Sequence, residues 1–193
     1  MCRGRCRSCR DNISVRYPAV EILSAFIWAV SWSLSSKFLP FLVSVVFLSL
    51  LLIVFFTDCE TGLIPDLITL PGIVTGIALS FFYPPLQGAA ENLSAFYSSL
   101  SGLCAGALMG CAAGWLGKAI FKKDAFGGGD IKFLAMLGAF LGWQSVTFTF
   151  FLAPFFALPF AFYARWIKKL EVIPYGPFLS LAAAFYFSIR QVF

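Results

Sequence analysis

The chain is a succession of apolar runs, each close to the length of a bilayer crossing, joined by links too short to form a soluble domain. A membrane-spanning helix needs about 20 consecutive apolar residues, with a range of roughly 17–25. Such runs fall at 19–36, 39–57, 67–83, 93–120, 145–166 and 174–192. A shorter one at 131–142 ends at Gly142-Trp143, where a tight turn or a kink is expected. Inside lipid a helix satisfies all its backbone polar groups within its own segment, and an isolated strand cannot. The expected fold class is therefore all-α: a polytopic membrane helix bundle with seven transmembrane helices, or six if the short run does not cross. Composition agrees, since 60% of the residues are hydrophobic and 12% are charged, against roughly 25% charged in soluble domains.

Residues 1–17 are basic, but Pro18 and Glu21 interrupt the approach to the first apolar run and no small-residue cleavage site follows it. The run reads as a permanent helix, not a signal peptide. Two parts are expected: a short basic cytoplasmic segment at 1–18, and a transmembrane domain at 19–193. Lys and Arg accumulate in cytoplasmic loops. With seven spans and a cytoplasmic N-terminus, the inner face holds Arg3, Arg5, Arg7, Arg10, Arg16, Lys118, Lys122, Lys123, Lys132, Arg165, Lys168 and Lys169. Only Lys37 and Arg190 are left outside. The net charge of +5 is thus a topology signal; nucleic-acid binding would need a basic face with interleaved aromatics on a soluble module.

The chain has no His, which removes the commonest general base and the commonest metal ligand. Neither a Ser-His pair nor an H-E-x-x-H helix is possible, so hydrolytic chemistry falls to carboxylates, Cys, Ser or Lys. Of nine acidic residues, two stand where a membrane protein gains nothing from a charge. Asp58 follows the apolar run from Leu50 to Phe56, at a helix C-terminus, where the macrodipole disfavours an anion by about 0.3–1 kcal/mol. Either it has a task or it is wetted at the interface. Asp130 closes Phe126-Gly127-Gly128-Gly129-Asp130. Asp is a favoured helix N-cap, yet three glycines also let the backbone approach a partner closely. Both residues sit at cytoplasmic helix ends and can share one cleft. Two adjacent carboxylates titrate as a pair, one protonated and one ionised, which suffices for peptide hydrolysis without His. Asp66, after Pro65, suits the N-terminus of the third span electrostatically. Lys132 either pairs with a carboxylate or snorkels to the interface. Pro174, Gly176 and Pro177 either wall the cleft or form a Pro-rich lead-in to the last helix. Cys104 and Cys111 read as small buried hydrophobes.

Phe56-Thr57-Asp58, Gly62-Leu63-Ile64-Pro65-Asp66 and Gly128-Gly129-Asp130-Ile131-Lys132 together resemble the type IV prepilin peptidases, members of the G-x-G-D intramembrane aspartyl proteases. Arg16-Tyr17-Pro18-Ala19-Val20-Glu21 and Pro174-Tyr175-Gly176-Pro177-Phe178-Leu179 are similar to the same family, and the segments occur in family order. The resemblance implies that Asp58 and Asp130 are the catalytic pair. Gly127, Gly128, Gly129, Lys132, Asp66, Pro174, Gly176 and Pro177 are the candidates for lining the cleft or binding substrate. The resemblance also implies cleavage at the cytoplasmic face of the bacterial inner membrane, after a glycine that ends a short basic leader. The substrates would be prepilins and type II secretion pseudopilins, with their apolar helix held in the lipid bilayer and no metal needed.

Family members commonly carry a further N-terminal helix and two Cys-x-x-Cys pairs, associated with a four-cysteine metal site and with N-methylation of the new pilin terminus from S-adenosylmethionine. Here Cys6-Arg7-Ser8-Cys9 resembles the second pair, with Cys2 as a third thiol. A closed zinc site wants four ligands, so Cys6 and Cys9 are weak metal candidates, zinc is not expected, and methyl transfer is doubtful. Cys6 and Cys9 are expected to be reduced in the cytoplasm. Among competing readings, presenilin-type proteases have a tyrosine before the first Asp, where this chain has Thr57. A proton-coupled membrane transporter predicts acids near mid-span and an inverted repeat; here the acids sit at helix ends. A non-catalytic pilus or secretion assembly factor would tolerate loss of either Asp.

Overall fold

The computed structural model describes residues 14–35, 37–121, 126–163 and 174–192. Among them are seven α-helices, one short 3-10 turn (Pro84–Gln87) and no strand. In chain order the helices are α1 (Arg16–Leu34), α2 (Phe38–Thr61), α3 (Asp66–Phe82), α4 (Asn92–Phe121), α5 (Gly128–Leu141), α6 (Trp143–Tyr163) and α7 (Gly176–Val192). Each expected run is matched by one helix, with ends displaced by a few residues. Four of them, α1, α2, α4 and α6, are long and apolar enough to cross a membrane. The other three are shorter, at 17, 14 and 17 residues.

The shortest helix is the centre of the bundle. Every residue of α5 from Phe133 to Leu141 is buried, and α3, α4 and α6 pack around it. Its apolar faces therefore meet protein on all sides, which removes the need for bilayer-matched length. On α4, Gly102, Gly106, Gly110 and Gly114 recur every fourth residue and so share one face. A methyl group on Gly102 would strike the Gly138 carbonyl oxygen, and one on Gly106 would strike that of Leu134. Lipid supplies no hydrophobic drive between helices, so close backbone approach through small residues does the work. Cys104 and Cys111, expected to be buried, are exposed instead, because the glycine face is the one turned to α5.

On the other side, Phe47 of α2 joins three helices, its ring 4.9 Å from both Phe140 of α5 and Phe187 of α7. The helix α1 packs chiefly on α2, with Ser31 as its buried residue. At the end where α5 stops, its last carbonyls are satisfied by side chains. Ser99 and Ser80 donate to the Ala139 oxygen at 2.7 and 3.1 Å, and Gln87 Nε2 reaches the Ala139 and Phe140 oxygens at 3.0 and 3.1 Å. Gly142 follows at φ +82°, a conformation that favours glycine, and α6 begins at the next residue. This is the tight turn expected at Gly142-Trp143.

Candidate active site

The opposite end of the bundle gathers the C-terminus of α2 and the N-termini of α1, α3, α5 and α7. Its charged side chains pair across helices, Arg16 with Glu60 at 2.9 Å and Lys132 with Asp66. The same end carries the two singular carboxylates.

Asp58 is in the last turn of α2, one turn earlier than the helix end. Its carbonyl accepts the N–H of Gly62 at 2.9 Å, and Gly62, at φ +64°, turns the chain out of the helix. The Asp58 side chain is only 4% exposed, and its Oδ2 has no hydrogen-bond partner. A buried carboxylate oxygen without a full hydrogen bond costs free energy, and the backbone N–H of Gly176 is the donor that acts on this carboxylate.

Asp130 is not the N-cap of α5. The helix begins at Gly128, Gly127 is the cap, and Asp130 occupies the third helical position. From there its carboxylate reaches back to accept the Gly127 N–H at 3.0 Å, leaving lone pairs open. Asp130 lies outside the four helices long enough to span the membrane. Burial pushes its carboxyl above the usual carboxylate range, while the Gly127 bond pulls the other way.

Two glycines bring the pair together. A methyl on Gly176, the first residue of α7, would lie 2.6 Å from Asp58 Oδ2 and 3.1 Å from Ile64 Cδ1. One on Gly129 would lie 3.0 Å from the Ile64 oxygen. Ile64, on the link from α2 to α3, is thus the wedge between Asp58 with α7 on one side and the glycine run of α5 on the other. Asp58 and Asp130 thus stand at the same end of the bundle, on either side of Ile64. Burial, and after it the charge of Asp130, pushes the Tyr175 phenol up. Its hydroxyl donates to the Phe150 oxygen at 3.2 Å and its ring lies 5.3 Å from that of Phe126. A pair of carboxylates close enough for their charges to interact can both take a proton from water and give one to a substrate.

The family model described as the type IV leader peptidase family matches residues 45–162, a stretch that contains both aspartates. The chain belongs to the type IV leader peptidase family. The N-terminal-domain model of the bacterial A24 peptidases matches residues 1–34. Among curated proteins, a prepilin leader peptidase/N-methyltransferase of Pseudomonas putida is 32% identical over 191 residues, covering 93% of this chain and 61% of that protein. One of the same name from Klebsiella pneumoniae is 37% identical over 153 residues, covering 78% and 63%. One from Neisseria gonorrhoeae is 31% identical over 192 residues, covering 98% and 63%. The chain spans about three fifths of the length of these relatives. No solved structure is a significant match.

The remaining expected residues divide clearly. Lys132 pairs with Asp66, not with either singular aspartate, and both partners are well exposed. Asp66 is also the first residue of α3, where its charge suits the helix dipole. Gly127 supplies its N–H to Asp130, Gly128 meets nothing, and Gly129 meets Ile64. Pro177 is the second residue of α7 and Pro174 precedes it, so both serve the helix start, while Gly176 alone between them abuts Asp58. Cys6 and Cys9 lie outside the described residues. Sequence reasoning did not single out Ile64 or Tyr175. For Ile64 the available signal was its place beside Leu63 in the short Gly62–Pro65 link that follows Asp58.

Proposed function

We propose that this chain is an intramembrane aspartyl endopeptidase that removes the basic leader from prepilins and pseudopilins at the cytoplasmic face of the bacterial inner membrane, with Asp58 and Asp130 as its catalytic pair. The observation that carries this reading is the Asp58 Oδ2, buried without a full hydrogen bond at the same end of the bundle as Asp130. The ionised carboxylate takes a proton from a water, whose oxygen attacks the scissile carbonyl. The protonated carboxyl gives its proton to the carbonyl oxygen; the proton taken from water then passes to the leaving nitrogen as the C–N bond breaks, and the other carboxylate takes one back from the new hydroxyl. The cytoplasmic placement rests on basic residues: Arg16, Lys118 and Lys132 stand at the site's end of the bundle, Lys37 and Arg190 at the other.

The test is leader cleavage of a co-expressed prepilin. Asp58→Asn and Asp130→Asn each abolish processing while the protein still inserts and folds. Wild-type processing by either variant removes that residue from the pair, and an assembly factor would survive both changes. The relatives' names join the peptidase to an N-methyltransferase. These 193 residues hold a single Cys-x-x-Cys pair, so little or no methyl transfer is expected from them alone. Labelled methyl on mature pilin would refute that expectation.

A further inference from the structure

The Gly62–Pro65 link from α2 to α3 is irregular backbone fixed at both ends. At its start the Gly62 N–H donates to the Asp58 oxygen, and the Leu63 N–H donates to the Thr61 hydroxyl at 3.2 Å. At its end the Pro65 oxygen accepts the N–H groups of Ile68 and Thr69 at 3.1 and 3.3 Å, which ties the link to the first turn of α3. Held in this way, the link treats two adjacent apolar residues in opposite ways. Leu63 is 71% exposed, and Ile64 is 8% exposed. Hydrophobicity alone would not separate them; the backbone path does.

Ile64 makes contact on two sides of the site. Its backbone lies under the first turn of α5, where a methyl on Gly129 would stand 3.0 Å from the Ile64 oxygen and 3.1 Å from its Cβ. The next residue is Asp130. Its side-chain tip lies at the start of α7, where a methyl on Gly176 would stand 3.1 Å from Ile64 Cδ1 and 2.6 Å from Asp58 Oδ2. One side chain thus runs from the turn that carries Asp130 to the flank of the Asp58 carboxylate. A carboxyl pair that is to hold a water has two ways to fail. In direct contact the carboxyls bond each other and close the place for water; far apart they lose the coupling that keeps one protonated and one ionised. A β-branched apolar spacer, stiff at χ1, guards against both and brings no polar atom to compete for the water.

We infer that Ile64 is a positioning residue of the aspartyl pair: its backbone seats the first turn of α5 and its Cδ1 seats the Asp58 carboxylate, so that one apolar side chain sets the spacing between them. This rests on the proposed peptidase function and adds what holds the pair in register.

The test is a graded series at position 64 in the full 193-residue chain, read as initial rates of prepilin cleavage in detergent per folded molecule, the folded fraction being counted by circular dichroism. Ile64→Val removes Cδ1 and keeps the branch at Cβ; kcat is expected to fall about tenfold with KM little changed. Ile64→Ala is expected to lose kcat on the order of 10²-fold. Ile64→Leu restores a δ carbon and is expected to recover most of the rate. Leu63→Ala, at the exposed neighbour, changes neither constant. Leu137→Ala deletes a fully buried side chain of α5; its melting midpoint falls, yet its kcat per folded molecule is kept. A raised KM with unchanged kcat in the Ile64 variants makes the residue a substrate contact and overturns the positioning role. An unchanged kcat in Ile64→Ala overturns it too, as does an equal loss of kcat per folded molecule in Leu137→Ala. These results leave the aspartyl pair standing as long as wild type cleaves and Asp58→Asn does not. A wild-type chain that cleaves nothing overturns the peptidase reading and this role with it.

Discussion

Alanine at Gly176 places one methyl group against the Asp58 carboxylate and little else. Built on the existing backbone, that Cβ lies 2.6 Å from Asp58 Oδ2, 3.0 Å from its Cγ and 3.1 Å from Ile64 Cδ1. Ordinary van der Waals contact begins near 3.4 Å, so the carboxylate oxygen must retreat by about 0.8 Å, the difference between 3.4 and 2.6 Å. Displacements of about 1 Å at a reacting group cost on the order of 10²-fold in rate, equivalent to about 2.7 kcal/mol of barrier. The fold has less to lose. Alanine is favoured over glycine in a helix by roughly 0.5–1 kcal/mol, which offsets part of an overpacking cost of about 1–3 kcal/mol. Gly176→Ala is therefore expected to remain inserted and folded, with kcat for leader cleavage down on the order of 10²-fold and KM little changed. The control is Gly128→Ala, where an added methyl meets nothing within 4 Å; it is expected to cleave at close to the wild-type rate. Initial rates on purified prepilin in detergent, with circular dichroism as the check on folding, measure both. Equal rates for the two variants would refute the claim that Gly176 exists to make room for the Asp58 carboxylate.

Gly129→Ala meets the Ile64 oxygen at 3.0 Å and needs a smaller adjustment, so its cleavage rate is expected between those two variants, about tenfold below wild type. Gly138→Ala drives a methyl into the backbone of Gly102, where neither chain can yield without parting α4 from α5; thermal unfolding in detergent is expected to show a loss of at least about 1–3 kcal/mol, and an unchanged midpoint would deny that this backbone contact holds the bundle. Asp66→Asn breaks only the exposed pair with Lys132, a change worth about 0–1 kcal/mol, and is expected to keep substantial cleavage activity; a dead Asp66→Asn beside a live Asp58→Asn would reverse the assignment of the pair.

Much of the fold was legible because lipid is a strict solvent. Seven apolar runs became seven helices, since no other local structure satisfies the backbone there. Helix ends were less legible, because caps are local hydrogen-bonding choices. Gly62 in the left-handed region carries α2 past Asp58, and the reach of Asp130 back to Gly127 starts α5 three residues early. The burial of α5 was hidden as well. A run too short to look like a confident span proved to be the most enclosed helix, and the signal for it lay in another helix, in glycines spaced by four along α4.

The sequence alone determined that this chain lives in a membrane as a helix bundle, that any hydrolytic chemistry proceeds without His, and that Asp58 and Asp130 carry its family resemblance. Those conclusions follow from residue types and their order, which the solvent reads without reference to distant neighbours. Only the tertiary structure decided that Asp58 is buried, that Gly176 and Ile64 crowd its carboxylate, and that Lys132 is taken by Asp66. Each of these depends on which helix lies against which. In lipid that choice is made by close packing between residues far apart in the chain, and no local pattern announces it.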